Sequence, residues 1–373
     1  MPILFALLIF FLYGVVGSGI ESTLSVYGQE VQVLEGVVEP GIDPTPSVYG
    51  QEVQVLEGVV RPGIESTPSV YGQEVQVHTC LNRLNVPAGD IHWVYIPEFA
   101  NQLHTEEKYF YLAGQLIKNK IVDASACPAG GLALNEYANA CGMVTAMPTV
   151  IGIQNMVNEP VMQAWINVGI PPVMLKQLIR IESQFWPAPH AEETVMYGGN
   201  QTAHAIEFGY GHITNIGLRN ALQWNTDLGK KICPPSAYGF CASDVSNAYQ
   251  ILSSLGSVCP TCEYGVDPVM VNREVDILAE VLLGHCNQTA QLIFNATGWR
   301  SNLVVDYGTI WKLTLMNYNA GPGCVFDTVV STFKITEGPM DWSEISANVT
   351  GAYCMRGLSY ANQVTARYFD FPP

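Results

Sequence analysis

The sequence predicts a mainly α-helical domain that follows a flexible, repeat-containing N-terminal region. Apolar residues beyond Pro128 recur at helical spacing, and residues 19–77 contain a repeat of period 22 whose three copies begin at Gly19, Gly41 and Gly63. The chain has 373 residues, of which 48% are hydrophobic, so it can bury a substantial core. We expect helices near 106–119, 148–167, 171–185, 214–227, 245–255, 271–283, 309–317 and 359–368.

The first 19 residues are typical of an export signal. An apolar run over 3–16 is followed by the small residues Gly17, Ser18 and Gly19. Because this segment has no Lys or Arg, an uncleaved N-terminal membrane anchor is the alternative. All ten cysteines follow it, and their even number indicates disulfides in an oxidising compartment. We therefore expect a protein that is secreted or held in the cell envelope.

The three repeats, over 20–77, have too little apolar surface to form cores of their own. They predict a flexible spacer, with a small β-rich repeat module as the alternative. Residues 78–145 form an N-terminal region to which the sequence assigns no role. The main domain is expected over 146–373, with a cysteine-bearing insertion at about 226–265.

The charge of the chain excludes some partners. A net charge of −17 argues against nucleic acid, because phosphate binding needs clustered Lys and Arg. Only 13% of the residues are charged, so much of the surface should be uncharged and suited to neutral carbohydrate. The pair Cys259-Pro-Thr-Cys262 favours a disulfide over a zinc knuckle, since no second knuckle completes a tetrahedral site. We expect no metal and no other cofactor.

Glu182 is the candidate catalytic acid. The predicted helix over 171–185 places Leu175, Leu178, Ile179 and Glu182 at i, i+3, i+4 and i+7. A carboxyl group on this apolar stripe, near the negative end of the helix dipole, should have a raised pKa. A carboxyl group that is protonated near neutral pH can protonate a glycosidic oxygen. The alternative is an ordinary glutamate that caps the helix or forms a salt bridge there.

A second apolar helix should break at Asn319 and Gly321 and aim Tyr318 inward. A buried tyrosine hydroxyl normally finds a hydrogen-bond partner. The carboxyl group of Glu182 is one candidate for this partner, and a backbone carbonyl is the other.

Taken in order, these segments resemble the soluble lytic transglycosylase family of the lysozyme superfamily. Glu182 is followed by Ser183 and Phe185, and residues 208–214, Phe-Gly-Tyr-Gly-His-Ile-Thr, stand where the family has a Gly-Leu-Met-Gln-like turn. Residues 317–321, Asn-Tyr-Asn-Ala-Gly, match four of the five positions of the family's Ala-Tyr-Asn-Ala-Gly motif. The resemblance covers about residues 165–370, including the tail at 360–364, and implies a lysozyme-like helical domain with a catalytic cleft.

The resemblance also implies roles for individual residues. Glu182 would act as acid and then as base, Tyr318 would hold its carboxyl group, and Ser183 would orient a substrate group. Asn319 would help to shape the cleft. The substrate would be the glycan strands of peptidoglycan, cut between N-acetylmuramic acid and N-acetylglucosamine. The sugar's own C6 hydroxyl would attack, giving a 1,6-anhydro product without a second carboxylate.

Other residues near the motifs are further candidates for binding sugar. His212 replaces the glutamine of the family turn, and it either contacts sugar or packs. Tyr210 lies in the same turn, and Trp186 either stacks on a sugar ring or belongs to the core. Glu207 could orient a water molecule as a second carboxylate, although a solvated loop glutamate is the preferred interpretation. Two alternative functions remain: a lysozyme-type hydrolase and a non-catalytic glycan-binding module.

Overall fold

A computed structural model describes Cys80, residues 91–187, 207–233 and 258–366, and the backbone of 196–197 and 200–201. The described residues all belong to one unit of the chain, Ser69–Pro373. The predicted export signal, the repeats and the predicted helix at 245–255 lie outside them.

The described residues are mainly helical, as predicted. Short 3₁₀ turns occur at His92–Val94, Ala100–Leu103, Pro128–Gly131, Gly209–Gly211 and Glu263–Gly265. One antiparallel hairpin pairs β1, Met196–Tyr197, with β2, Asn200–Gln201. The helices are α1 (Phe110–Lys118), α2 (Ala140–Met156), α3 (Asn158–Val168), α4 (Pro172–Ser183), α5 (Asn215–Trp224), α6 (Thr226–Ile232), α7 (Pro268–Thr297), α8 (Ser301–Val304), α9 (Tyr307–Thr336), α10 (Trp342–Ala347) and α11 (Ala352–Thr365).

The helix predicted at 171–185 is confirmed as α4, but other boundaries differ. The segment 148–167 contains parts of two helices, α2 and α3, which meet at Val157. Helix α7 starts earlier than predicted because the side chain of Asp267 caps its first turn, accepting from the backbone of Val269 at 2.8 Å. Helix α9 continues past the predicted end, with the expected break present as a kink at Gly321 (φ 77°, ψ 170°).

One hydrophobic core joins the described elements. Helices α7 and α9 pack against each other, α11 packs on α9, and α3 and α5 pack on α7. Side chains from the region of unassigned role, such as Trp93 and Leu112, are buried in this core. The boundary expected at residue 146 falls inside α2. Residues 91–145 are therefore structurally continuous with the helices that follow them.

Disulfides connect distant parts of the domain. The described pairs are Cys80–Cys286, Cys127–Cys141, Cys259–Cys262 and Cys324–Cys354. Cys259 and Cys262 are therefore in a disulfide rather than a zinc knuckle, as expected, although the sequence had left the pairing of the cysteines open. The pairs are compatible with an oxidising, extracytoplasmic location.

Among the described residues, the stretch Ala140–Val168 is long and apolar enough to cross a membrane by length and composition alone. It comprises α2 and α3, and it includes Val150, Ile153 and Val161, which are fully buried in the core. Helices in the core of a soluble domain have this same composition. The stretch is therefore weak evidence for a membrane span.

Candidate active site

Helix α4 is fixed firmly in the core. Pro172 stands in its first turn, where a missing N–H is tolerated, and Leu175, Leu178 and Ile179 are fully buried. The Nζ atom of the fully buried Lys176 donates hydrogen bonds to the Leu103 carbonyl at 2.6 Å and to Asn158 Oδ1 at 2.8 Å. Burial lowers the pKa of this amine well below its ordinary value. These contacts set the position of Glu182 in the last turn of the helix.

The backbone after Glu182 adopts an uncommon conformation. Gln184 and Phe185 have φ values of 45° and 64°, a left-handed region that residues other than glycine rarely adopt. Phe185 is fully buried, and its ring lies 5.2 Å from that of Tyr109. His212 is a third such residue, with φ 48°. Three of the eight non-glycine residues with positive φ in the described chain therefore lie at this site. Strained backbone conformations of this kind often cluster at functional sites.

The hydroxyl of Tyr360, on α11, donates a hydrogen bond to Oε1 of Glu182. The prediction that Tyr318 holds this carboxyl group is wrong. Tyr318 does point inward from α9, but its hydroxyl donates to the carbonyl of Gly211. A Cβ atom at Gly211 would lie only 2.8 Å from that hydroxyl oxygen, so the missing side chain lets the turn approach Tyr318 and accept its hydrogen bond.

The turn at 208–213 presents His212 to the acid. Phe208 and Ile213 exchange backbone hydrogen bonds of 3.1 and 3.0 Å, which close the turn. Gly209 adopts φ 64°, a conformation that favours glycine. The backbone N–H of His212 donates to the Gly209 carbonyl at 3.2 Å. The backbone thus determines where the His212 ring lies.

The imidazole of His212 lies between two carboxyl groups. Its Nδ1 is 3.6 Å from Oε2 of Glu182 and 3.4 Å from Oε2 of Glu207. The side chains of Glu182 and Glu207 are 16% and 28% exposed. Glu207 is therefore a partly buried member of the site, and the interpretation as a solvated loop glutamate is wrong.

The pKa of Glu182 is raised to about 8, mainly by burial. The hydrogen bond from Tyr360 lowers this pKa, whereas the negative charge of Glu207 raises it. The predicted rise is confirmed, and its main cause is the predicted burial on the apolar stripe. Burial also raises the pKa of both Tyr318 and Tyr360, as does the charge of Glu182. Both phenols therefore remain protonated donors at neutral pH. The site holds a proton on Glu182 and provides a donor for the carboxylate that forms when that proton leaves.

The remaining predicted contacts fall into two groups. Ser183, Trp186 and Tyr210 are only 1%, 3% and 1% exposed. The Ser183 hydroxyl donates to the Ile179 carbonyl at 3.0 Å, so its hydrogen is already used within α4. Asn319 and His212 are partly exposed. Of the predicted substrate contacts, these two are the accessible ones in this conformation.

Tyr360 was not among the residues predicted for the site. Its signal lay in the spacing of the last helix, where Gly357, Tyr360, Ala361 and Val364 recur at i, i+3, i+4 and i+7, and all four are buried. A tyrosine on such a stripe needs a buried acceptor for its hydroxyl. The sequence did not identify this acceptor as Glu182.

No group of three or more His, Cys, Asp or Glu side chains in the described part of the chain could hold a metal ion. The chemistry that the described site offers is proton transfer by a buried carboxyl group. Comparisons with protein-family models, with curated proteins and with solved structures found no match to this chain.

Proposed function

We propose that this protein is a lytic transglycosylase that cleaves the β-1,4 bond between N-acetylmuramic acid and N-acetylglucosamine in peptidoglycan. The observation that supports this proposal is Glu182, a largely buried carboxyl group whose pKa of about 8 leaves it protonated at neutral pH. The resemblance of residues 165–370 to that family supplies the substrate class. The disulfides are compatible with action outside the cytoplasm, where the wall is located.

In this mechanism, Glu182 donates its proton to the glycosidic oxygen as the bond to the anomeric carbon breaks. The Tyr360 hydroxyl already donates to Oε1 and stabilises the carboxylate that results. This carboxylate then accepts the proton of the C6 hydroxyl as the C6 oxygen bonds to the anomeric carbon. The product carries a 1,6-anhydro ring, and Glu182 regains its proton.

The test is digestion of purified sacculi, with mass spectrometry of the soluble products. We expect anhydro-muropeptides from the wild type and none from Glu182→Gln, which keeps the size of the side chain but has no acidic proton. Glu98→Gln changes an exposed glutamate and serves as the matched control, with products as in the wild type. An active Glu182→Gln variant would overturn the proposal. A wild type that binds sacculi without cutting them would favour a glycan-binding module.

Hydrolysis of the same bond is the second candidate, because Glu207 supplies another carboxyl group at the site. Its Oε2 and that of Glu182 both lie within 4 Å of one nitrogen of His212. Enzymes that activate water at a glycosidic bond usually have two catalytic carboxyl groups. Reducing-end products that incorporate oxygen from ¹⁸O-labelled water would favour hydrolysis and exclude the anhydro route.

A further inference from the structure

The two oxygens of Glu182 face different donors. Oε1 accepts from the Tyr360 hydroxyl, whereas Oε2 faces Nδ1 of His212 at 3.6 Å. The nearby Tyr318 hydroxyl donates to Gly211 and is not shared with the acid. His212 thus faces the second oxygen of Glu182 and can donate to it.

The same nitrogen of His212 also faces Glu207, at 3.4 Å. Two neighbouring carboxyl groups resist being ionised together, so one tends to hold a proton while the other is charged. An imidazole between them favours a proton on the nitrogen that faces the charge. Among the described residues, the titratable groups that face Glu182 are Tyr360 from α11, Tyr318 from α9, His212 from the turn at 208–213, and Glu207, which precedes that turn.

The position of His212 is fixed by the backbone. The residue adopts φ 48°, a left-handed conformation that costs free energy for any side chain, although His, Asn and Asp occur there more often than most. The carbonyl of the preceding Gly211 accepts from Tyr318. A strained residue held by its neighbours on both sides is typical of a functional position.

We propose that His212 is a positioning residue that donates one Nδ1–H to two carboxylates in turn: to Glu207 while Glu182 carries its proton, and to Glu182 once that proton has left. This inference rests on the proposed function. In the step itself, the O–H bond of Glu182 breaks and an O–H bond forms on the glycosidic oxygen, which keeps the electron pair of the broken C–O bond. No proton leaves His212, because only the acceptor of its hydrogen bond changes.

This exchange gives Glu207 a role without direct contact with the sugar. While Glu182 is neutral, the imidazole N–H donates to the charged carboxylate of Glu207. The distances from Nδ1 to Glu207 and to Glu182, 3.4 and 3.6 Å, differ by only 0.2 Å. The imidazole N–H can therefore change its acceptor from Glu207 to Glu182 as Glu182 becomes charged. The carboxylate of Glu182 then has a donor on each oxygen, Tyr360 on one and His212 on the other.

The experiment is a titration of the glutamate carboxyl groups by ¹³C NMR in the full-length protein, without substrate. The signal of Glu182 is identified as the one that is lost in Glu182→Gln. We expect His212→Leu to raise the pKa of Glu182 by about one unit, because the carboxylate loses a donor. Leu is chosen because it is close to the imidazole in size and has no hydrogen-bond donor, whereas the amide of Asn could still donate. Glu207→Gln should lower the same pKa, because a negative charge is removed and the imidazole is released to Glu182.

The double variant separates this exchange from simple charge repulsion. If His212 serves both carboxylates, Glu207→Gln lowers the pKa of Glu182 less in the His212→Leu background than in the wild type. Additive shifts, or a Glu182 titration that His212→Leu leaves unchanged, would overturn the inference. His104→Leu is the matched control, since His104 forms an exposed pair with Glu106 at 3.1 Å, and it should not move the Glu182 signal.

Thermal unfolding of each variant shows whether it is folded. If His212→Leu is not folded, the test is made with Glu207→Gln alone. In that case, a Glu182 pKa that does not fall in Glu207→Gln overturns the inference. The titration needs no catalysis, so its result is independent of the digestion assay. Shifted pKa values in a protein that does not cut sacculi would refute the proposed function and retain the exchange. An active enzyme with unshifted values would refute the exchange alone.

Discussion

Tyr360 and Glu182 are 178 positions apart in the chain, and the hydroxyl of the first donates to the carboxyl group of the second. Burial and this hydrogen bond have opposite effects on the protonation equilibrium of Glu182. Burial of Glu182 favours its protonated form, whereas the hydrogen bond from Tyr360 favours the carboxylate. The pair therefore sets an acid strong enough to release its proton and weak enough to hold one at neutral pH.

Tyr360→Phe should weaken catalysis and raise the pKa of Glu182. A hydrogen bond to a charged group contributes about 1.5–3 kcal/mol, so its loss should slow cleavage by about 10- to 100-fold. Because the carboxylate loses a donor, the decline of activity at alkaline pH should move to higher pH. Initial rates on sacculi across a pH series measure both effects.

Tyr353→Phe is the matched control for this substitution. Tyr353 lies on the same helix, is 41% exposed, and its ring contacts Arg356. We expect wild-type rates and a wild-type pH profile from this variant. A Tyr360→Phe enzyme that also behaves like the wild type would show that the tyrosine does not act on Glu182.

Glu182→Gln should make the protein more stable, and increasingly so at higher pH. The pKa of Glu182 is about 8 in the folded chain, against an ordinary value of 4.5. Between these two values the folded state binds more protons than the unfolded state, so wild-type stability falls as pH rises. The neutral amide lacks this dependence. Its advantage in the free energy of unfolding should grow by a few kcal/mol from pH 4.5 to pH 8.

Chemical denaturation at several pH values measures this difference. Glu98→Gln, at an exposed glutamate, should differ from the wild type by the same amount at every pH. Equal pH dependence in wild type and Glu182→Gln would mean that the acid is not buried as the structure has it.

Gly211→Ala should destabilise the domain and reduce activity together. The added Cβ would lie 2.3 Å from Cδ1 of Leu278 and 2.8 Å from the Tyr318 hydroxyl. Overpacking of this kind costs about 1–3 kcal/mol, and relief of the clash must move the turn that carries His212. Gly323→Ala is the control, because its Cβ meets nothing within 4 Å and alanine favours the helix. Melting temperatures and cleavage rates of both variants measure these two effects. A Gly211→Ala protein as stable as Gly323→Ala would contradict the close packing of Gly211 against Leu278 and Tyr318.

The disulfides should differ in their contribution to stability. Cys80–Cys286 spans 206 positions and Cys259–Cys262 spans three. Chain-entropy arguments give about 5 kcal/mol for the first and about 2 kcal/mol for the second. Replacing each pair by alanine and measuring denaturant midpoints should reproduce this order. A larger loss for the short pair would indicate that native contacts, rather than loop closure, dominate.

The sequence was sufficient to predict the largely buried glutamate and its helix because both depend on local pattern. Pro172 marks the start of α4, and the apolar stripe places Glu182 on the buried face. The kink at Gly321 was likewise predicted from residues next to it. Patterns within one helix therefore identified which side chains point inward.

The sequence was not sufficient to predict which inward side chains meet. Tyr318 and Tyr360 are both inward-facing tyrosines, and only the packing of α11 on α9 and of α11 on α4 decides which of them reaches Glu182. The approach of Gly211 to Tyr318 is a long-range contact across 107 positions, with no local signal for the partner. The partly buried state of Glu207 depends in the same way on the neighbouring turn.

The pairing of Glu182 with Tyr360 also has a consequence for the order in which the protein is made. A ribosome places the acid in the chain 178 residues before it places the tyrosine. Throughout that interval the nascent chain holds a glutamate without its donor. The site is completed only when α11 docks, and the disulfide between Cys324 and Cys354 then joins that helix to α9. Glu182 therefore gains this hydrogen-bond donor only after α11 has been synthesised and has docked.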